Sequence, residues 1–194
     1  VQADSPAFAQ FIKEAAREIT VKAGQKCTAI RRIIVPEAMV GAVGEALCDK
    51  LAAVTVGDPS RDDVQMGALV SAAQKADVLA KLTALGGETR NLTGDPQAGD
   101  FVGAGPAGAF LRPTLLQCDD PDAAVAVHEM EAFGPVSTIM PYRDLSHASA
   151  LANRGGGSLV ASLVTDDPMV ARDVTLSSAA WHGRLYITGA NTAK

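Results

Sequence analysis

Ala23-Gly24-Gln25-Lys26-Cys27-Thr28-Ala29-Ile30-Arg31-Arg32 is the stretch on which the reading of this chain turns. Upstream, Ser5-Pro6 supplies an N-cap residue and then proline at the first helical position. Phe8, Ile12, Ala15 and Ile19 follow at helical spacing and form one apolar stripe. Downstream, residues 29–35 carry β-branched runs and stop at Pro36, the pattern of a strand. Cys27 therefore falls on a helix-to-strand turn. Gly24 suits the left-handed residue that closes a helix, and Lys22 and Lys26 place cations at the negative end of its dipole. A thiol near positive charge and free backbone amides is biased towards the thiolate, which is the nucleophile. Against that stands the habit of free cysteines, which are mostly buried and inert. Cys48, on an apolar helical face, and Cys118, at the end of an apolar run, fit the packing role. Cys27, among polar and glycine neighbours, does not.

Outward from that turn, Met39, Val40, Val43, Leu47 and Leu51 repeat at three and four, a second amphipathic helix. Ser71 with Gln74 forms a capping-box pattern ahead of a third helix striped by Val78, Leu82 and Leu85 and ended by Gly86-Gly87. Residues 88–92 read as a short strand, 93–108 as a loop, and 111–117, 125–127 and 136–142 as strands. A helix over 144–153 ends before Gly155-Gly156-Gly157. A buried strand over 159–164, a helix over 168–180 and a last strand over 184–187 complete the chain. Alternating helices and strands imply an α/β fold, a layered α/β/α domain with a mostly parallel sheet.

Composition narrows the function classes. The chain has 194 residues, 47% hydrophobic and 20% charged, enough for one domain with a real core. A net charge of −5 argues against nucleic-acid or anionic-membrane surfaces. The only notable basic pair, Arg31-Arg32, falls on the predicted strand. Three cysteines far apart make no disulfide framework and suit a reducing cytoplasm. No apolar run approaches a membrane span. His128-Glu129 is not a zinc motif, because H-E-x-x-H needs histidine where Ala132 stands. His128, His147 and His182 are dispersed and read as structural or exposed, so no metal is expected. No strand is followed by G-x-G-x-x-G and no Walker motif exists, so the chain carries no dinucleotide-binding unit of its own.

Four segments, in order, resemble the aldehyde dehydrogenase superfamily. Gly24-Gln25-Lys26-Cys27-Thr28 is similar to its G-Q-x-C nucleophile segment. Val56-Gly57-Asp58-Pro59 with Met66-Gly67-Ala68-Leu69-Val70-Ser71 resembles V-G-D-P … G-P-L, with Ala68 replacing the proline. Gly108-Ala109-Phe110-Leu111-Arg112-Pro113-Thr114 matches G-x-F-x-x-P-T, and Glu131-Ala132-Phe133-Gly134-Pro135-Val136 matches E-x-F-G-P-V.

The resemblance implies covalent catalysis. Cys27 attacks an aldehyde, its own backbone N–H helps hold the oxyanion, and the resulting thioester is resolved by water. Glu131 contacts the nicotinamide ribose and Phe133 the ring of NADP or NAD, which is bound mainly by a separate N-terminal cofactor domain. A carboxylate that takes two hydrogen bonds from a diol, and an aromatic ring that supports another, suit those roles. Val1-Gln2-Ala3-Asp4-Ser5 resembles the segment bearing the family's general-base glutamate, with Gln2 at that position. An amide cannot take a proton from water. The direct Ser5-Pro6 join suggests that residues are missing there, and the chain, starting without methionine, reads as the catalytic domain of a larger protein.

Within the superfamily, residues 23–36 and 131–136 resemble the aldehyde dehydrogenase domain of bifunctional ring-opening enzymes of bacterial phenylacetate degradation. That implies a CoA-linked semialdehyde substrate, a hydratase domain in the parent chain, and a homo-oligomer. Two alternatives remain from the sequence: a CoA-acylating relative in which CoA resolves the thioester, and a non-catalytic α/β assembly domain.

Overall fold

The computed structural model of the chain describes residues 5–189 except 106 and 107; Gln2 lies outside the described residues. The elements run α1 (Pro6–Thr20), a 3-10 turn (Val21–Gly24), β1 (Arg32–Pro36), a second 3-10 turn (Glu37–Met39), α2 (Val40–Ala52) and α3 (Ala72–Leu85). There follow β2 (Arg90–Asn91), β3 (Thr114–Gln117), α4 (Ala126–Glu129), β4 (Val136–Tyr142) and α5 (Leu145–Asn153). A 3-10 turn (Arg154–Gly156), β5 (Ser158–Val164), α6 (Pro168–Ser178), a further turn (Ala179–Trp181) and β6 (His182–Thr188) complete the order.

Four strands form one sheet in the order β1-β4-β3-β2. β1 and β3 both run parallel to β4, with Ile33 opposite Ile139 and Thr114 opposite Val136; only the two-residue β2 is antiparallel. Period-two alternation sends the side chains of these strands to two cores. Ile33, Val35, Leu115 and Ile139 meet Phe8, Ile12, Ile19, Val43, Leu47 and Leu51 of α1 and α2. Leu116, Val136 and Met140 meet Val78 and Leu85 of α3 and Val127 of α4 on the other face. The layered α/β/α arrangement with a mostly parallel sheet is the one expected.

Local chemistry explains most boundaries. The Ser5 hydroxyl accepts from the Phe8 N–H and so caps α1, and the Ser71 hydroxyl does the same for Gln74 at α3. Asp144 and Asp167 cap α5 and α6. Three expectations are corrected. Residues 125–127 are not a strand: the Glu88 carboxylate accepts the Val125, Ala126 and Val127 N–H groups and starts α4 instead. The strand expected from residue 29 begins only at Arg32, so Arg31 precedes β1, although its carbonyl still accepts from the Thr138 N–H. The strand over 159–164 is present as β5 but is not buried. Among the described residues it pairs with β6 alone, in a separate parallel pair, and Leu159 is 59% and Tyr186 55% exposed.

Candidate active site

The turn bearing Cys27 is built from three consecutive left-handed residues, Lys22, Ala23 and Gly24, with φ of 54°, 51° and 68°. They reverse the chain after α1. The reversal is closed by Gln25 N–H to the Lys22 carbonyl (3.1 Å), Lys26 N–H to the Gly24 carbonyl (2.9 Å) and Ala29 N–H to the Lys26 carbonyl (3.1 Å). Cys27 is exposed on this turn. Cys118 is fully buried and Cys48 half-buried, and burial pushes both of those thiols up, towards the inert protonated form.

Lys26 does not stand free beside the thiol as its position in the sequence suggests. Its Nζ is 2.6 Å from Glu18 Oε2 in α1, and an ion pair spends that charge on anchoring the turn to the helix. What approaches the Cys27 turn is a second turn, 131–135. Gly24 lies so close to it that a Cβ at Gly24 would overlap the Gly134 carbonyl. The second turn is itself tight: Gly134 N–H donates to the Ala132 carbonyl (2.7 Å) and Val136 N–H to the Gly134 carbonyl (2.8 Å). Glu131 is exposed on it and Phe133 half-buried.

Two glutamines extend the frame. The Gln25 side-chain oxygen accepts from the Val70 N–H (2.9 Å), tying the Cys27 turn to the segment that leads into α3. Gln74 Nε2 donates to the Phe133 carbonyl (2.9 Å), so this residue of the expected capping box holds the second turn with its side chain. Arg31 joins everything. Its guanidinium donates to the Gly24 carbonyl (2.7 Å), the Lys26 carbonyl (3.3 Å), the Gly134 carbonyl (2.8 Å) and Glu131 Oε1 (3.1 Å), and lies 5.5 Å from the centre of the Phe133 ring.

The model of the aldehyde dehydrogenase family matches residues 2–193. The chain belongs to the aldehyde dehydrogenase family. It is 43% identical over 190 residues to the 3,4-dehydroadipyl-CoA semialdehyde dehydrogenase of Aromatoleum evansii, covering 97% of this chain and 37% of that protein. It is 48% identical over 125 residues to Protein MaoC of Klebsiella aerogenes, covering 63% of this chain and 35% of that one. Among solved structures, betaine aldehyde dehydrogenase of Staphylococcus aureus in complex with NAD+ superposes with a TM-score of 0.84 at 24% identity, over 95% of this chain and 35% of that one. This aldehyde dehydrogenase chain thus spans little more than a third of the length of the curated relatives named here.

Arg32 and the three histidines are bonded within the fold, away from the two turns. Arg32, half-buried, donates to the Leu151 and Ala152 carbonyls at the end of α5 (2.8 and 3.0 Å) and to His128 Nδ1 (3.0 Å). A cation there complements the helix dipole. An arginine only donates and a carbonyl only accepts, so His128 accepts a hydrogen bond from Arg32 at Nδ1 and donates one from Nε2–H to the Pro121 carbonyl. It is neutral, and burial first, then the Arg154 and Arg32 cations, hold its pKa down. His147 Nε2 bonds Asp122 and His182 Nδ1 bonds Ser158. Among the described residues no His, Cys, Asp and Glu group could hold a metal ion, and no helix is long and apolar enough to cross a membrane.

Proposed function

We propose that this chain is the catalytic domain of an NAD(P)-dependent aldehyde dehydrogenase that oxidises a CoA-linked semialdehyde to the acid. The observation that carries the reading is the exposed Cys27, on a turn bonded through Arg31 to the turn bearing Glu131 and Phe133. The Cys27 thiolate adds to the aldehyde carbon, and the carbonyl π pair becomes an alkoxide. Among the described residues nothing accepts the Cys27 N–H, which leaves that donor for the alkoxide. The nicotinamide, when bound, supplies the acceptor for the hydride whose departure converts the adduct to a thioester. Water then attacks the thioester carbon, and Cys27 leaves as thiolate.

The residues present fit the nicotinamide end of the cofactor. Glu131 is bonded by Arg31 alone among the described residues and through one oxygen, so its other oxygen is open to a ribose diol. Phe133, two residues on, is half-buried. The adenine and phosphate end would lie on a separate Rossmann-like domain, in keeping with the missing glycine fingerprint. The similarity to a CoA semialdehyde dehydrogenase supports the substrate class. A hydratase domain in the parent protein, a homo-oligomer and a cytoplasmic setting belong to the same reading.

The general base is the open position. Gln2 stands where the family's glutamate is expected, and an amide does not take the proton of water. That residue favours a second reading, in which CoA resolves the thioester. Product analysis separates the two: free acid supports hydrolysis, and acyl-CoA excludes it.

Timed iodoacetamide labelling of the folded protein, read by peptide mass spectrometry, tests the nucleophile. Cys27 should react well ahead of Cys48 and Cys118. Equal rates for the three thiols would remove the assignment and leave an assembly role for the domain.

A further inference from the structure

Among the described residues, Arg31 is the one side chain that hydrogen-bonds to both turns of the candidate site, and it lies outside the four short family motifs. Of the four acceptors it bonds, two carbonyls belong to the Cys27 turn, and a carbonyl and a carboxylate oxygen to the turn at 131–134. The guanidinium also covers Phe133 at cation–π distance. Its side chain is only 18% exposed, whereas that of Glu131 is 53% exposed. The carbonyl bonds therefore do most of the holding, and the half-open ion pair adds orientation.

We propose that Arg31 is a positioning residue that sets the nucleophile turn and the cofactor-contacting pair Glu131 and Phe133 in one register. This rests on Cys27 being the nucleophile. A planar fork of five donors is needed to serve acceptors from two turns at once, and lysine, a point charge with three donors, cannot match it. By bonding one oxygen of Glu131, Arg31 aims the carboxylate, so that its other oxygen faces the ribose in a fixed pose. By bonding the Gly24 and Lys26 carbonyls, it fixes the loop from which the thiol projects. Cofactor affinity and thiol reactivity are thus coupled through one side chain.

The test uses the holoenzyme carrying this chain, with Arg31→Gln, Arg31→Lys and, separately, Cys27→Ala. Arg31→Gln should lower kcat/KM for the nicotinamide cofactor roughly 10- to 100-fold, the scale of a misplaced reacting group. The cofactor Kd should rise, and the alkylation rate of Cys27 should change in the same variant. Arg31→Lys, which keeps the charge and is the more conservative for folding, should recover part of the Kd and little of the alkylation rate. A folded Arg31→Gln or Arg31→Lys enzyme with a lowered Tm but wild-type cofactor Kd and Cys27 alkylation overturns the proposal, because that is the signature of a purely structural arginine. Full turnover in Cys27→Ala would instead overturn the nucleophile assignment, which distinguishes the two failures.

Discussion

Gly24→Ala is the sharpest probe of how the two turns are joined. Gly24 has φ of 68°, a conformation that L side chains rarely adopt, and a Cβ there would overlap the Gly134 carbonyl and lie 2.8 Å from Pro135 Cα. Both obstacles are backbone, so no flexible side chain can swing away. The left-handed conformation costs alanine about 1–2 kcal/mol. Forcing the 131–135 turn outward adds about 1–3 kcal/mol, the usual scale of overpacking. At about 2–4 °C per kcal/mol for a chain of this size, the sum predicts a Tm lowered by roughly 4–20 °C. The same shift displaces the carbonyls that Arg31 bonds, so Cys27 labelling should change as well. Gly41→Ala is the control: it lies in α2 with nothing within 4 Å of an added Cβ, and alanine there should raise the Tm by about 2–4 °C through better helix propensity. Thermal melts by circular dichroism of the three proteins in one buffer read the result. A Gly24→Ala melt within about 2 °C of the parent would refute the close approach of the two turns, since the backbone strain alone predicts more.

Glu88→Gln should destabilise the protein at pH 7 by about 1 kcal/mol, the scale of a lost cap, because the N–H groups of Val125, Ala126 and Val127 at the start of α4 lose a carboxylate partner. Burial pushes the Glu88 carboxyl up, but its three backbone hydrogen bonds outweigh that and leave its pKa below the usual carboxylate range. Its contribution is therefore complete above the unfolded value of about 4.3 and disappears as pH falls through the lower folded value, so urea midpoints of parent and variant should converge below pH 4 or so. Arg32→Met should cost about 3 kcal/mol by chemical denaturation, because it leaves the Leu151 and Ala152 carbonyls and His128 Nδ1 without their donor. An unchanged denaturation midpoint would show that water replaces the guanidinium there.

The fold was legible where the code is local. Ser5-Pro6, Ser71, Asp144 and the stripes of α1 and α2 mark helices because the groups that start or bury them are a few residues away. It was illegible where the partner is distant. The apolar triplet Val125-Ala126-Val127 reads as extended from its own composition, and a carboxylate 37 residues before Val125 makes it the start of a helix. Hydrophobicity likewise marks β5 as a strand but does not say what covers it, and Leu159 is largely exposed.

The site follows the same division, and Arg31-Arg32 shows why. In sequence they are one basic pair on a strand, with nothing to separate them. In the fold they stand at the mouth of β1, where successive side chains leave in opposite directions. Arg31 turns to Gly24, Lys26, Glu131 and Gly134, groups from two turns, the second of which begins 100 residues after Arg31 itself. Arg32 turns to the end of α5 and to His128. Cys27, Glu131 and Phe133 could be picked out beforehand because each belongs to a short motif. The group that links them lies outside those short motifs, and even within the 23–36 stretch its role is unmarked, since its partners are mostly main-chain carbonyls, which leave no residue-specific mark on the sequence. A positioning residue of this kind is found by asking which charged side chain is bonded to two motifs at once.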